Sequence, residues 1–132
     1  MNARGITLIE LMIVITILGV LGTIATAAYR GHAERAHRVD AMTALQRIKD
    51  NQERIRTATN TYSADFDALG FPGAVTPDGN YALDFPTAPD TRTFVVRASV
   101  ITGGGQDTDT ECRWFTLSAT GVEDSGAETD CW

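Results

Sequence analysis

Ile6-Thr7-Leu8-Ile9-Glu10, followed by the eighteen residues from Leu11 to Ala28, is the stretch that decides the architecture. The run from Leu11 to Ala28 carries no charged side chain. Eighteen helical residues at about 1.5 Å each reach about 27 Å, close to the ~30 Å hydrocarbon thickness of a bilayer. A membrane-spanning helix over residues 6–28 is therefore expected. A secretory signal peptide would have a basic start, a shorter apolar stretch and a small-residue cleavage site after that stretch. Here the natural cut lies before the apolar run, behind the leader Met1 to Gly5.

Glu10 needs its own explanation, because a carboxylate at the centre of a bilayer costs about 3 kcal/mol, and less near the surface. Thr7-Leu8-Ile9-Glu10 fits the Thr-x-x-Glu capping box, in which each side chain satisfies an amide of the first turn, and the acid suits the positive end of the helix.

The chain has 132 residues, 43% of them hydrophobic, and a good part of these lie in the apolar run, which leaves room for one small globular domain and not for a large catalytic core. The net charge of −6 is unevenly spread. Residues 1–59 hold eight basic and five acidic side chains, whereas residues 60–132 hold three and twelve. That acidic balance argues against direct nucleic-acid binding by the C-terminal part, since phosphate contacts need a basic surface.

Cys112 and Cys131 are too few for a structural zinc site and have no histidine nearby. A disulfide is the better reading, worth about 3 kcal/mol on the chain-entropy model, and it requires an oxidising compartment. The basic residues Arg30, Arg35 and Arg38 after the helix would place the C-terminus in the cytoplasm by the positive-inside rule; the cysteines argue for the opposite side.

From Tyr29 to Thr59 there is no proline, and Ala41, Leu45, Ile48, Gln52 and Ile55 recur at helical spacing, with Asp40, Arg47, Asp50 and Arg54 on the other side. The pattern predicts an amphipathic continuation of the same helix. At 1.5 Å per residue, a helix from Ile6 to Thr59 would be about 80 Å long, more than one small domain can cover, so lipid or other copies must bury the protruding half. Residues 60–80, with Phe71-Pro72-Gly73 and Thr76-Pro77-Asp78-Gly79, read as a linking loop. Tyr81 to Phe85, Thr91 to Ile101 and Arg113 to Ser118 read as strands of a three- or four-stranded antiparallel sheet, its inner face covering the helical stripe. The fold class is α+β, with the sheet and cysteine region over residues 81–132.

The leader, Gly5 and Ile-Thr-Leu-Ile-Glu-Leu-Met-Ile-Val closely resemble the class III signal of type IV prepilins, usually Gly-Phe-Thr-Leu-Ile-Glu-Leu. The C-terminal third, with Cys112, Phe115-Thr116-Leu117-Ser118-Ala119-Thr120-Gly121-Val122 and Cys131-Trp132, looks like the end of PilE-type minor pilins, whose last disulfide closes a loop before a terminal tryptophan. The resemblance departs at Arg113-Trp114, where small residues are usual, at Glu123, where lysine is common, and at Ala27, where pilins often carry a helix-kinking proline. Gly19, Gly22 and Gly31 remain as weak points of the helix, each worth about 1 kcal/mol relative to alanine.

The resemblance implies the type IV pilin fold, cleavage by a prepilin peptidase between Gly5 and Ile6, methylation of the new Ile6 amine, and pairing of Glu10 with that amine in the filament. It implies a minor pilin in the inner membrane, single-pass with a periplasmic C-terminus, that joins other pilin subunits through the inner-membrane assembly machinery into an extracellular pilus. Adhesion, twitching motility and DNA uptake are the functions that follow. Two alternatives are a pseudopilin of type II secretion, against which the two cysteines weigh, and an unprocessed, membrane-anchored periplasmic binding protein.

No enzyme, cofactor or metal is expected. His32 and His37 are five apart, about 140° round a helix, and do not form a same-face pair; both are expected to be solvated. Gly103-Gly104-Gly105 lacks the following Lys-Ser/Thr of a phosphate loop and reads as a hairpin turn. The acids Asp107, Asp109, Glu111, Glu123, Asp124, Glu128 and Asp130 offer oxygen ligands that would suit calcium, but EF-hand spacing is absent and a solvated acidic loop is the favoured reading.

Overall fold

The computed structural model describes residues 6–126 and 131–132, apart from the side chains of residues 27, 28 and 30. One helix, α1 (Leu8–Thr59), is followed by a 3-10 turn at Pro72–Ala74 and four strands, β1 (Tyr81–Thr87), β2 (Val95–Val100), β3 (Trp114–Ser118) and β4 (Glu123–Ser125). The chain divides into two compact units, Met1–Ala33 and Glu34–Trp132. The leader, residues 1–5, lies outside the described residues.

In the first unit, α1 starts where the capping pattern places it. Thr7 Oγ1 accepts the Glu10 amide at 3.3 Å and Thr7 O accepts the Leu11 amide at 3.2 Å. The reciprocal bond to the Glu10 carboxylate is not formed among the described residues, so half of the box is present. Side chains from Ile6 to Thr26 are exposed throughout. This segment is long and apolar enough to cross a membrane. Its hydroxyls are already satisfied: Thr16 donates to Met12 O at 2.7 Å and Thr23 to Val20 O at 2.7 Å, which removes the main obstacle to placing threonine in lipid.

The second unit is built on the predicted stripe. Ala41, Leu45, Ile48 and Gln52 are buried, joined by Ala44, with Ile55 packed at the margin. They share one core with Tyr81 and Leu83 of β1, Phe94 just before β2, Val96 and Ala98 of β2, and Phe115 and Leu117 of β3. Gln52 is fully buried without penalty, because its amide donates to Ser63 O at 2.6 Å and its carbonyl accepts the Ser63 amide at 2.8 Å. That pair turns the chain just past the helix and starts the linking loop. Asp40, read as a surface acid, is half-buried, with one carboxylate oxygen shielded from solvent. His37, expected to be solvated, is half-buried and shares a 2.9 Å hydrogen bond with Asn80, because the residues just before β1 come back against the helix.

The sheet is antiparallel in the order β1-β2-β3-β4. Its first strand runs through Pro86, past the expected end at Phe85, with a register shift between Asp84 and Thr87; an edge strand tolerates a proline that cannot donate. Its second strand starts at Val95 instead of Thr91. Asp90 is the cause: its Oδ1 accepts the amides of Arg92 at 2.6 Å and Thr93 at 2.7 Å, which makes 90–93 a turn and spends donors that a strand would need. β4 was not read as a strand, being three residues long and acidic. Gly103, at φ +80, sits in the turn that carries β2 toward β3.

Candidate assembly segment and head surface

Ile6 stands just before α1 and is 76% exposed; Glu10 is an exposed residue of the first turn. Gly5 lies outside the described residues. Ile6 and Glu10 are thus presented on the same unburied, apolar segment, where other subunits or lipid can reach both. In the second unit, Cys112 and Cys131 form a disulfide with a Cα–Cα distance of 5.9 Å, both buried.

The sequence reading missed the main polar fixture of the head. Asp109, three residues before Cys112, accepts Arg38 Nε at 2.6 Å and Arg38 Nη2 at 2.9 Å. The same carboxylate accepts Gln106 Nε2 at 2.7 Å and the Cys112 amide at 3.1 Å. Gln106 also donates to Glu34 O at 3.2 Å. Helix and disulfide loop are therefore fastened by a bidentate, charge-assisted pair whose acid is oriented by the cysteine next to it. Burial pushes the Asp109 carboxyl up, but the bonds from Arg38, the Cys112 amide and Gln106 outweigh it and hold it below the usual carboxylate range. The bond to Asp109 raises Arg38 in turn. With the partners 71 positions apart, no local pattern announces the pair.

The loop acids that are described have partners of their own. All the acceptor positions of Asp109 are in use, and Asp107 accepts the Gly103 amide at 3.1 Å and Arg113 Nη2 at 3.3 Å. Among the described residues, no group of three or more His, Cys, Asp or Glu is arranged to hold a metal ion; Glu128 and Asp130 lie outside them.

The exposed face of the sheet carries Asp84, Arg97, Thr116 and Asp124 in one cross-strand row. Arg97 is held bidentate by Asp84 at 2.9 and 2.7 Å, so that row offers no free cation. Cations collect instead around the last turns of α1. Arg54 is exposed beside an open cleft of about 410 Å³ that Asn51 and Asp67 also line. Arg56 lies over the Tyr62 ring at 5.0 Å and donates to its hydroxyl at 2.9 Å. Arg92 is exposed in the β1–β2 turn, which the Tyr62 amide ties to the helix end by donating to Asp90 O at 3.0 Å. Exposed Thr57, Asn60 and Thr61 surround this end.

Two family models match. Residues 1–26 match the prokaryotic N-terminal methylation motif, and residues 27–116 match a family described as type IV minor pilin ComP, DNA uptake sequence receptor. The chain belongs to this family of type IV minor pilins. As a minor pilin it is a subunit of a type IV pilus serving DNA uptake, anchored in a membrane through its apolar helix before assembly. A solved structure titled as a type IV pilin from Shewanella oneidensis resembles this pilin with a TM-score of 0.54 at 20% identity, covering 75% of this chain and 97% of that one. That likeness concerns the fold: a long N-terminal helix packed on an antiparallel sheet. No curated protein gives a significant match.

Proposed function

We propose that this minor pilin is cut between Gly5 and Ile6 by a prepilin peptidase, methylated on Ile6, and drawn from the membrane into a pilus whose core is built from its apolar helix, with the head displayed outside to bind DNA. The observation that carries this reading is the family match over residues 27–116, which covers the head as well as part of the helix and is joined by the methylation motif at residues 1–26. Glu10 pairs with the Ile6 amine of a neighbouring subunit and sets axial register; pairing offsets the burial of both charges. The disulfide favours a periplasmic, oxidising side for the head before assembly.

Net charge argued against nucleic-acid contact, but it averages over the whole domain, whereas a backbone contact needs only a local group of cations. Arg54, Arg56 and Arg92, at and beside the end of α1, are the cations assigned to it, with Arg56 also paired to Glu53 at 3.9 Å. The test is recovery of the protein from membranes and from sheared filaments for intact-mass and N-terminal peptide analysis, with duplex DNA binding measured on the same material. A chain starting at methylated Ile6 in filaments, binding DNA with a steep salt dependence that flattens when the three arginines become alanine, is expected. A chain still starting at Met1 and absent from filaments overturns the assembly reading, and unchanged binding by the triple variant overturns the DNA surface.

A further inference from the structure

The turn between β1 and β2 owes its shape to one acid. Asp90 Oδ1 accepts the amides of Arg92 at 2.6 Å and Thr93 at 2.7 Å, and the Asp90 amide donates to Thr93 O at 3.0 Å. In an ordinary four-residue turn the carbonyl of the first residue takes the amide of the fourth. Here the Asp90 carbonyl accepts the Tyr62 amide at 3.0 Å, and the side-chain oxygen stands in for it at Thr93. Aspartate thus combines two roles that a residue with only a backbone acceptor would have to divide. It closes the turn on itself and ties that turn to the end of α1.

Two of the cations assigned to the DNA surface hang on this node. Arg92 is exposed within the turn and is held by its backbone amide, so the turn is fixed without spending the guanidinium. Arg56 donates to the Tyr62 hydroxyl at 2.9 Å and lies over the Tyr62 ring at 5.0 Å, while that hydroxyl donates to Glu53 at 2.8 Å. The Tyr62 ring is seated edge-on against Phe94, four residues beyond Asp90, with centroids 4.8 Å apart. From Arg56 through Tyr62 and Asp90 to Arg92 the contacts run without a break.

The charge of Asp90 is out of place in such a surface. Asp90 is exposed, and the Arg92 and Thr93 amides hold its carboxyl below the usual carboxylate range. It is therefore ionised near neutral pH and repels phosphates close to Arg92. Asparagine would offer the same side-chain acceptor without the charge, so acceptor and charge can be separated by substitution.

We infer, taking the arginine surface as the DNA site, that Asp90 is a positioning residue for DNA binding. Its side-chain oxygen shapes the turn that presents Arg92, and its carbonyl keeps that turn in step with Tyr62 and Arg56. Asp90 acts through the arginines; its own charge opposes DNA.

The test titrates the full chain in detergent with a duplex oligonucleotide of mixed sequence over a range of salt. Asp90→Asn should tighten binding, because the acceptor stays and the repulsion goes. Asp90→Ala loses the same charge together with the acceptor, so it should bind more weakly than Asp90→Asn, with a salt slope shallower by about 1, as for the loss of one phosphate contact. In the Arg56→Ala, Arg92→Ala background the difference between Asn and Ala at position 90 should vanish. Equal tightening by Asp90→Asn and Asp90→Ala would make the acid a repulsive charge only and overturn the inference, as would a difference that persists without the two arginines. Should Asp90→Ala not fold, Asp90→Ser takes its place, since a hydroxyl makes the same turn more weakly; binding weaker than that of Asp90→Asn is expected, and equal binding overturns the inference. Binding that depends on Arg56 and Arg92 but not on the acceptor at position 90 leaves the DNA surface standing and removes Asp90 alone. Binding indifferent to both arginines removes the surface and Asp90 together.

Discussion

Asp109→Asn changes one buried atom from oxygen to NH2 and removes the charge opposite Arg38. The side chain of Asp109 is 1% exposed and that of Arg38 19%, so the guanidinium keeps only a narrow route to water. Breaking a buried pair costs about 3–5 kcal/mol; the partial access of Arg38 places this case at the lower end, about 3 kcal/mol. The new NH2 also faces donors from Arg38, Gln106 or the Cys112 amide, with nothing to accept it. For a domain of this size, 1 kcal/mol shifts melting by about 4–8 °C, so the variant should melt about 12–24 °C lower. Near-ultraviolet circular dichroism of the full chain in detergent reads the head selectively, because both tryptophans lie in it. The pH dependence gives a second reading. The folded carboxyl sits below its unfolded value, so its stabilisation is fully present above about pH 4 and is lost as pH falls through the depressed native value. The acid limb of stability should flatten in the variant. A melting drop under about 4 °C, or an unchanged acid limb, would refute the claim that this pair fastens the loop to the helix.

Replacing Cys112 and Cys131 by serine should cost about 3 kcal/mol and lower melting in non-reducing buffer; identical melting would remove the disulfide as a prop. A Cβ built on Gly126 comes within 2.3 Å of Trp114 Nε1, so Gly126→Ala should destabilise by about 1–3 kcal/mol and shift the tryptophan emission, whereas wild-type emission and melting would mean the indole moves aside freely. Glu10→Ala should leave the protein in the membrane but out of sheared filaments; normal amounts there would end its role in register.

The helix was legible because one continuous apolar run and one 3.6-residue stripe both lack proline, and α1 stops at Thr59 where the pattern stops. The disulfide was legible because only two cysteines exist. Strand limits failed where side chains bind their own backbone, as Asp90 does, since such bonds compete with the ladder while leaving β-branched composition intact. The polar fixtures failed for another reason. Arg38 and Glu34 are far in the chain from Asp109 and Gln106, and an acid among acids looks solvated until the fold buries it. The surface group around Arg54, Arg56 and Arg92 was hidden by net charge, which does not report where cations gather.

Both margins of the sheet are closed to growth. β1 carries Pro86 and a register shift, and β4 is a short acidic strand whose Asp124 carbonyl accepts the Trp132 indole at 2.9 Å while Gln46 donates to Glu123 at 3.1 Å. A subunit of a pilus meets copies of itself, and an open strand would template amyloid-like stacking. With the margins blunted, cross-strand templating is closed off and the apolar helix is left as the route to self-association.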